Sequence, residues 1–190
     1  MSDIQQPRRR RWILWGALAV LLIVAAGVSY VAVSMRYSGD YYQEGTRYLA
    51  KGNLRAAVIQ LRNAVRTEPK RADARVALAE VYLRLGDPVS SEKEFQTASD
   101  LGYDQNKLMV PLARTYNLQG KFDKVLQNFP AGNRGDDMER ALQVERGFAH
   151  LGLRQMAAAE SDFKDATKQG KSEPMALLGL ARIELGRRNL

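Results

Sequence analysis

The side chains that could carry chemistry in this 190-residue chain are few and poorly grouped. His150 is the one histidine and cysteine is absent. Thiol nucleophiles and thiolate or imidazole-rich metal sites therefore have no material to build on. The densest acidic group is Asp136-Asp137 with Glu139, which could hold a cation. At the opening of a helix the same acids act more simply, as caps and as partners of the helix dipole. Gly132 and Gly135 flank Arg134 in a way that suggests a phosphate loop, yet no Lys-Ser/Thr pair follows them. The expectation is a chain with no catalytic residues, no cofactor and no metal, one that binds and is not an enzyme.

What positions the remaining residues is a repeat. Steps of 34 from Gly45 reach Ala79, Ala113, Gly147 and Ala181, all of them small. The same stride from Tyr48 gives Tyr82, Tyr116 and His150, and from Leu61 it gives Phe95, Phe129 and Phe163. Small and large residues recurring at one spacing mark a stacked helical repeat. The ladder makes His150 a packing substitute for tyrosine. It also assigns the aromatics to core and not to a base-stacking platform.

Ahead of the repeat, residues 12–35 carry no charge and are rich in Leu, Val, Ala and Ile. As a helix they reach roughly 36 Å, enough to cross a hydrocarbon layer of about 30 Å. Arg8 to Arg11 precede this stretch, and beyond it the positive bias is much weaker, with Arg36, Asp40 and Glu44. The positive-inside rule places residues 1–11 in the cytoplasm as a basic tail and everything after Met35 across the membrane. Trp12, Trp15, Tyr30 and Tyr37 suit interfacial anchoring. A cleaved signal peptide ending near Ala32-Val33-Ser34 is the competing reading, although the apolar stretch exceeds the usual length of about 7–15 residues. The net charge of +8 shrinks once the arginine run is set aside: residues 36–190 hold 25 basic and 20 acidic side chains, well mixed. No basic stripe interleaved with aromatics points to nucleic acid.

Within residues 36–190 the period divides into units 38–71, 72–105, 106–139 and 140–173, with a partial unit 174–190. In the first unit Gly45, Tyr48, Ala57, Leu61, Ala64 and Pro69 fall where the tetratricopeptide repeat wants small, aromatic, small, large, small and proline residues. The second keeps Ala79, Tyr82, Ser91, Phe95 and Ala98, and its turn Gly86-Asp87-Pro88 puts a capping Asp and an N1 proline in order. The third keeps Ala113, Tyr116, Gly120 and Phe129, with Val125 at the small site, and its second helix must end early at Pro130. The fourth keeps Gly147, Ala159, Phe163 and Ala166, with Arg154 in place of the turn glycine. The fifth places Leu177, Leu180 and Ala181 on one face and stops at Leu190, which suggests a fragment of a longer protein. The fold expected is all-α, a tetratricopeptide helical-hairpin solenoid of about four and a half repeats after one N-terminal transmembrane helix.

The resemblance to tetratricopeptide arrays implies a concave groove lined by the first helix of each unit. Its candidate partner-binding residues are Tyr42, Thr46 and Leu49; Val76, Glu80 and Leu83; Val110, Arg114 and Asn117; and Val144, Phe148 and Leu151. Val76, Val110 and Val144 are themselves one period apart, so the groove floor reads as apolar and suited to a helix or extended segment. Tyr42 and Thr46 do not match the clamp that holds acidic C-terminal peptides.

The stretches AAVIQLRNAVRTEP (Ala56–Pro69), ARVALAEVYLRLGDP (Ala74–Pro88) and PLARTYNLQGKFDKVL (Pro111–Leu126) resemble the tetratricopeptide proteins of the bacterial PEP-CTERM/exosortase system. That resemblance implies a place in exopolysaccharide or surface-protein export. The expectation is a single-pass protein of the bacterial inner membrane, with a cytoplasmic N-terminus and a periplasmic scaffold that binds protein or peptide partners of the cell envelope. It is expected to engage neither nucleic acid nor a small-molecule substrate. A periplasmic chaperone or assembly factor, and a non-catalytic carrier domain of a longer envelope enzyme, are the alternatives.

Overall fold

A computed structural model describes residues 6–168 and 173–188, with side chains at 15–33, 41–168 and 173–188. The side chains of Arg8 to Arg11, Trp12 and Tyr37, the end of the fourth unit at 169–172, and Leu190 lie outside the described residues. Among those described, all regular structure is helical: α1 Gln6–Ala50, α2 Leu54–Thr67, α3 Ala72–Arg84, α4 Pro88–Asp100, α5 Gln105–Leu118, α6 Phe122–Asn128, α7 Asp136–Gly152, α8 Met156–Ala166 and α9 Pro174–Arg188. The chain folds as an all-α tetratricopeptide-type solenoid with an apolar N-terminal helix.

Local chemistry sets most of these boundaries. The Asn53 side chain accepts from the Ala56 N–H at 3.2 Å and starts α2. Asp87 does the same for Ser90 at 3.0 Å, with Pro88 in the first turn of α4 where its missing N–H costs nothing. Asp104 accepts from Asn106 and opens α5. Gly52, Gly86 and Gly120 take φ of +74°, +77° and +71° between the two helices of a hairpin, and in the fourth hairpin Arg154 takes that place at φ 61°. An L-residue there places Cβ against its own backbone, so the last hairpin turns at a strained residue.

Hairpins α1–α2, α3–α4 and α7–α8 each pack extensively, and α2–α3, α4–α5 and α8–α9 join them into a stack. Ala57, Leu61 and Ala64 of α2 are wholly buried, as are Phe95, Ala98, Ala159, Phe163 and Ala166 at the matching places in α4 and α8. Gly45 and Gly147 permit this packing, since a Cβ at either would lie 2.6 Å from Leu61 or Phe163. The tyrosine ladder is less uniform than its spacing suggests. Tyr116 is buried, whereas Tyr48, Tyr82 and His150 are half-buried. On α9 the packed face is Ala176, Gly179, Leu180 and Ile183, so Leu177 and Ala181 point outward and not with Leu180.

The third hairpin departs from the others. Helix α6 has seven residues and ends at Phe129 before Pro130, so α5 packs more extensively on α7 than on α6. Tyr116, Val125, Phe129, Leu142 and Ala149 form the core there. The loop back to α7 is closed by ions: Arg146, buried, donates to the Phe129 carbonyl at 3.2 Å and to Glu139 at 2.7 Å, and Arg134 reaches Glu139 at 3.0 Å. Asp136, Asp137 and Glu139 do sit in the first turn of α7, in favour with the helix dipole, but the cap is Gly135 and no side chain bonds it.

Helix α1 runs without a break from the apolar segment into the first repeat. Trp15–Val33 is long and apolar enough to cross a membrane, and none of it is buried in the chain. From Tyr41 onward the same helix packs against α2 and α3.

Candidate partner-binding cleft

Three first helices of successive hairpins, α5, α7 and α9, enclose a concave cleft of about 540 Å³. Helical spacing explains its lining. Arg114, Asn117 and Leu118 share a face of α5, Glu145, Phe148 and Gly152 share one of α7, and Met175 and Arg182 lie two turns apart on α9. Phe122, from the start of α6, supports one wall, and a Cβ at Gly152 would fall 2.3 Å from its ring. Apolar side chains dominate, with Leu118 and Met175 substantially exposed.

The polar groups are organised around one buried carboxylate. Glu145 is 4% exposed, and Arg114 donates to it through Nε at 2.9 Å. Asn117 Nδ2 donates to its backbone carbonyl at 2.8 Å and to its carboxylate at 3.0 Å. A buried charge is tolerable only when paired and bonded in this way. Asn117 Oδ1, buried, accepts no hydrogen bond from the described residues. The Arg182 guanidinium lies 5.8 Å from the centroid of Phe148, whose ring meets Phe163 edge-on at 5.1 Å. The cleft is thus an apolar slot with a fixed polar floor and exposed positive charge on its rim.

Arg114, Asn117, Phe148 and Leu151, of the residues expected in the groove, come together in this cleft. Val144 lies beneath it, 3% exposed in the α7–α8–α9 core, and Val110 packs into the α5–α7 core. The other six lie on α1 and α3. Tyr42 sits under the Arg71 guanidinium at 4.1 Å, and burial, with Asp73 adding to it, pushes its phenol pKa up. The Thr46 hydroxyl is turned back onto the Tyr42 and Gln43 carbonyls at 3.0 Å. Leu49 and Val76 pack at the edges of neighbouring cores, and Leu83 is half-buried. Glu80 is exposed as a residue, while desolvation raises its carboxyl pKa against the opposing pull of Arg84. Glu145 and Arg182 were not anticipated. Their signal was the helical spacing 145, 148, 152 and 175, 182, readable once the groove-facing side of each helix is centred one residue later.

Residues 42–105 match the tetratricopeptide repeat family model. The match takes in most of the first unit and all of the second. A tetratricopeptide repeat protein from Parabacteroides merdae superposes with a TM-score of 0.58 at 20% identity, covering 81% of this chain and 61% of its own, and shows the shared fold. In sequence the chain is similar to the type IV pilus assembly protein PilF of Pseudomonas aeruginosa, 25% identical over 146 residues. That match covers 75% of this chain and 58% of the relative. The chain spans less than two-thirds of the length of each of these proteins. The tetratricopeptide-type architecture presents first helices along a concave side, and the cleft between α5, α7 and α9 lies there.

Proposed function

We propose that this chain is a membrane-tethered tetratricopeptide scaffold that captures a segment of another envelope protein in the cleft between α5, α7 and α9, on the periplasmic side. The cleft carries the reading: its apolar walls surround a polar floor already fixed by Arg114, Asn117 and Glu145, so an entering segment buries hydrocarbon without reorganising charge. The fully exposed Trp15–Val33 helix supports tethering, because a helix apolar all round and uncovered by its own chain belongs in lipid. The arginine run before it supports a cytoplasmic N-terminus. Likeness to a pilus assembly protein favours the assembly of an envelope machine. Participation in exopolysaccharide or surface-protein export rests on the PEP-CTERM-system resemblance alone.

Photo-crosslinking amino acids at Leu118 and Leu151, both lining the cleft, test this in intact cells. A discrete partner band lost on Arg182→Glu is the expected result. Equal crosslinking from Lys93 and Gln127, which lie outside the cleft, would reject capture there.

A further inference from the structure

On the reading of Trp15–Val33 as a membrane span, the unbroken α1 also determines which edge of the solenoid meets the bilayer. Gly45 of α1 lies against Leu61 of α2, and α2 runs antiparallel, so each residue along α2 descends one residue along α1. On that register the end of α2 at Thr67 is level with residue 39, and the Pro69-Lys70 turn with residues 36–37. Among the described residues the apolar span runs to Val33, and the uncharged Ser34 and Met35 follow it in sequence. One to four helical residues, about 2–6 Å of rise, therefore separate this turn from the edge of the hydrocarbon. A headgroup layer is itself about 5–7 Å deep on each side.

The turn is held in that place. Arg71 stacks on Tyr42 of α1, and Arg75 donates to the Pro69 carbonyl through two nitrogens at 3.0 and 2.8 Å. Its charges suit phosphate. Residues 66–75 carry Arg66, Lys70, Arg71 and Arg75 against Glu68 and Asp73. Arg71 is engaged by both acids and Arg75 by Glu94. Among the described residues Arg66 bonds the neutral Asn63, and Lys70 is exposed.

We propose that the turn between α2 and α3 is a lipid-contact edge, with Arg66 and Lys70 on the phosphates of anionic headgroups. The Gly52 turn at the other end of the hairpin then points away from the membrane. This rests on the reading of Trp15–Val33 as a retained membrane span.

The chain has no cysteine, so single probes can be placed cleanly. The full chain, as Thr67→Cys or Lys51→Cys carrying a fluorophore, is reconstituted into phosphatidylglycerol vesicles containing headgroup spin-labelled lipid. Quenching severalfold stronger at position 67 than at 51 is expected. Adding Arg66→Glu and Lys70→Glu to the Thr67→Cys chain should weaken that quenching in phosphatidylglycerol. Equal quenching at the two positions, or no response to the charge reversals, overturns the proposal. Alkaline carbonate extraction of the same vesicles separates the two readings. Release of the chain rejects the membrane span itself, whereas retention with an unquenched position 67 rejects only the lipid-contact edge.

Discussion

The Arg114 guanidinium bonds the buried Glu145 carboxylate across the floor of the cleft, from α5 to α7, at 2.9 Å. Arg114 is half exposed and Glu145 is not, so the two ends of the pair are unequal. Removing the arginine strands a charge that cannot reach water. Arg114→Ala should cost about 1–3 kcal/mol of stability, the penalty for an under-satisfied buried group. Glu145→Gln should cost less, because its amide oxygen still accepts from Asn117 while the buried charge is gone. Urea unfolding in detergent micelles orders the two variants, and a milder effect for Arg114→Ala would show that Glu145 is solvated.

Arg154 at φ 61° makes the opposite prediction. Its counterparts in the other hairpins are glycines with the same backbone. Arg154→Gly should stabilise the chain by about 1 kcal/mol, the lower end of the penalty for a left-handed L-residue. Thermal melts of the two proteins decide it, and a lower melting temperature for the glycine variant would mean that Arg154 holds the turn by contacts.

Phe163 is gripped from two sides. A Cβ on Gly147 would come within 2.6 Å of its ring and one on Gly179 within 2.3 Å. Gly179→Ala should therefore destabilise by about 1–3 kcal/mol through overpacking. Pairing it with Phe163→Leu should recover part of that loss, which a double-mutant cycle measures as a coupling energy. Additive effects would place the two residues apart.

Asp162 gives a pH dependence. Burial raises its carboxyl pKa above the ordinary 3.8; Arg146 and His150 pull it down, while Asp165 and Glu139 push it up. Its Oδ2 is buried and has no hydrogen bond among the described residues. An acid whose folded pKa is raised holds its proton longer folded than unfolded. Its ionisation therefore weakens the fold as pH climbs from about 3.8 through the raised value. Asp162→Asn should be more stable than the parent at pH 7, and the advantage should vanish toward pH 3. An advantage that persists in acid would point to a cause other than ionisation.

The periodic features of this fold were legible because packing recurs. Gly45 and Gly147 at the small site, and Leu61, Phe95 and Phe163 at the large one, repeat because each hairpin solves the same close approach. Pro130 announced the early end of α6. What periodicity could not show is what non-repeating residues do in response. Arg146 has no place in a buried helix face until the Phe129 carbonyl, freed by the short α6, comes within 3.2 Å. The spacing 145, 148, 152 puts Glu145 on the groove-facing side of α7, but only the direct α5–α7 packing makes it the buried floor of a cleft. Val144, one residue earlier, keeps the period and is core.

With Trp15–Val33 read as a membrane span, as proposed above, helix α1 also sets a direction around the membrane normal. An α-helix turns about 100° per residue, so an unbroken one carries the phase of its apolar segment into the first repeat. The bearing of the cleft is then coupled to the faces that Trp15 and Tyr30 present, and a neighbour docked on one side of the span would meet the cleft at one azimuth. Inserting a single residue between Val33 and Tyr41 would swing the whole solenoid by about 100° while lifting it only about 1.5 Å. On that reading the connection is a compass bearing as well as a tether.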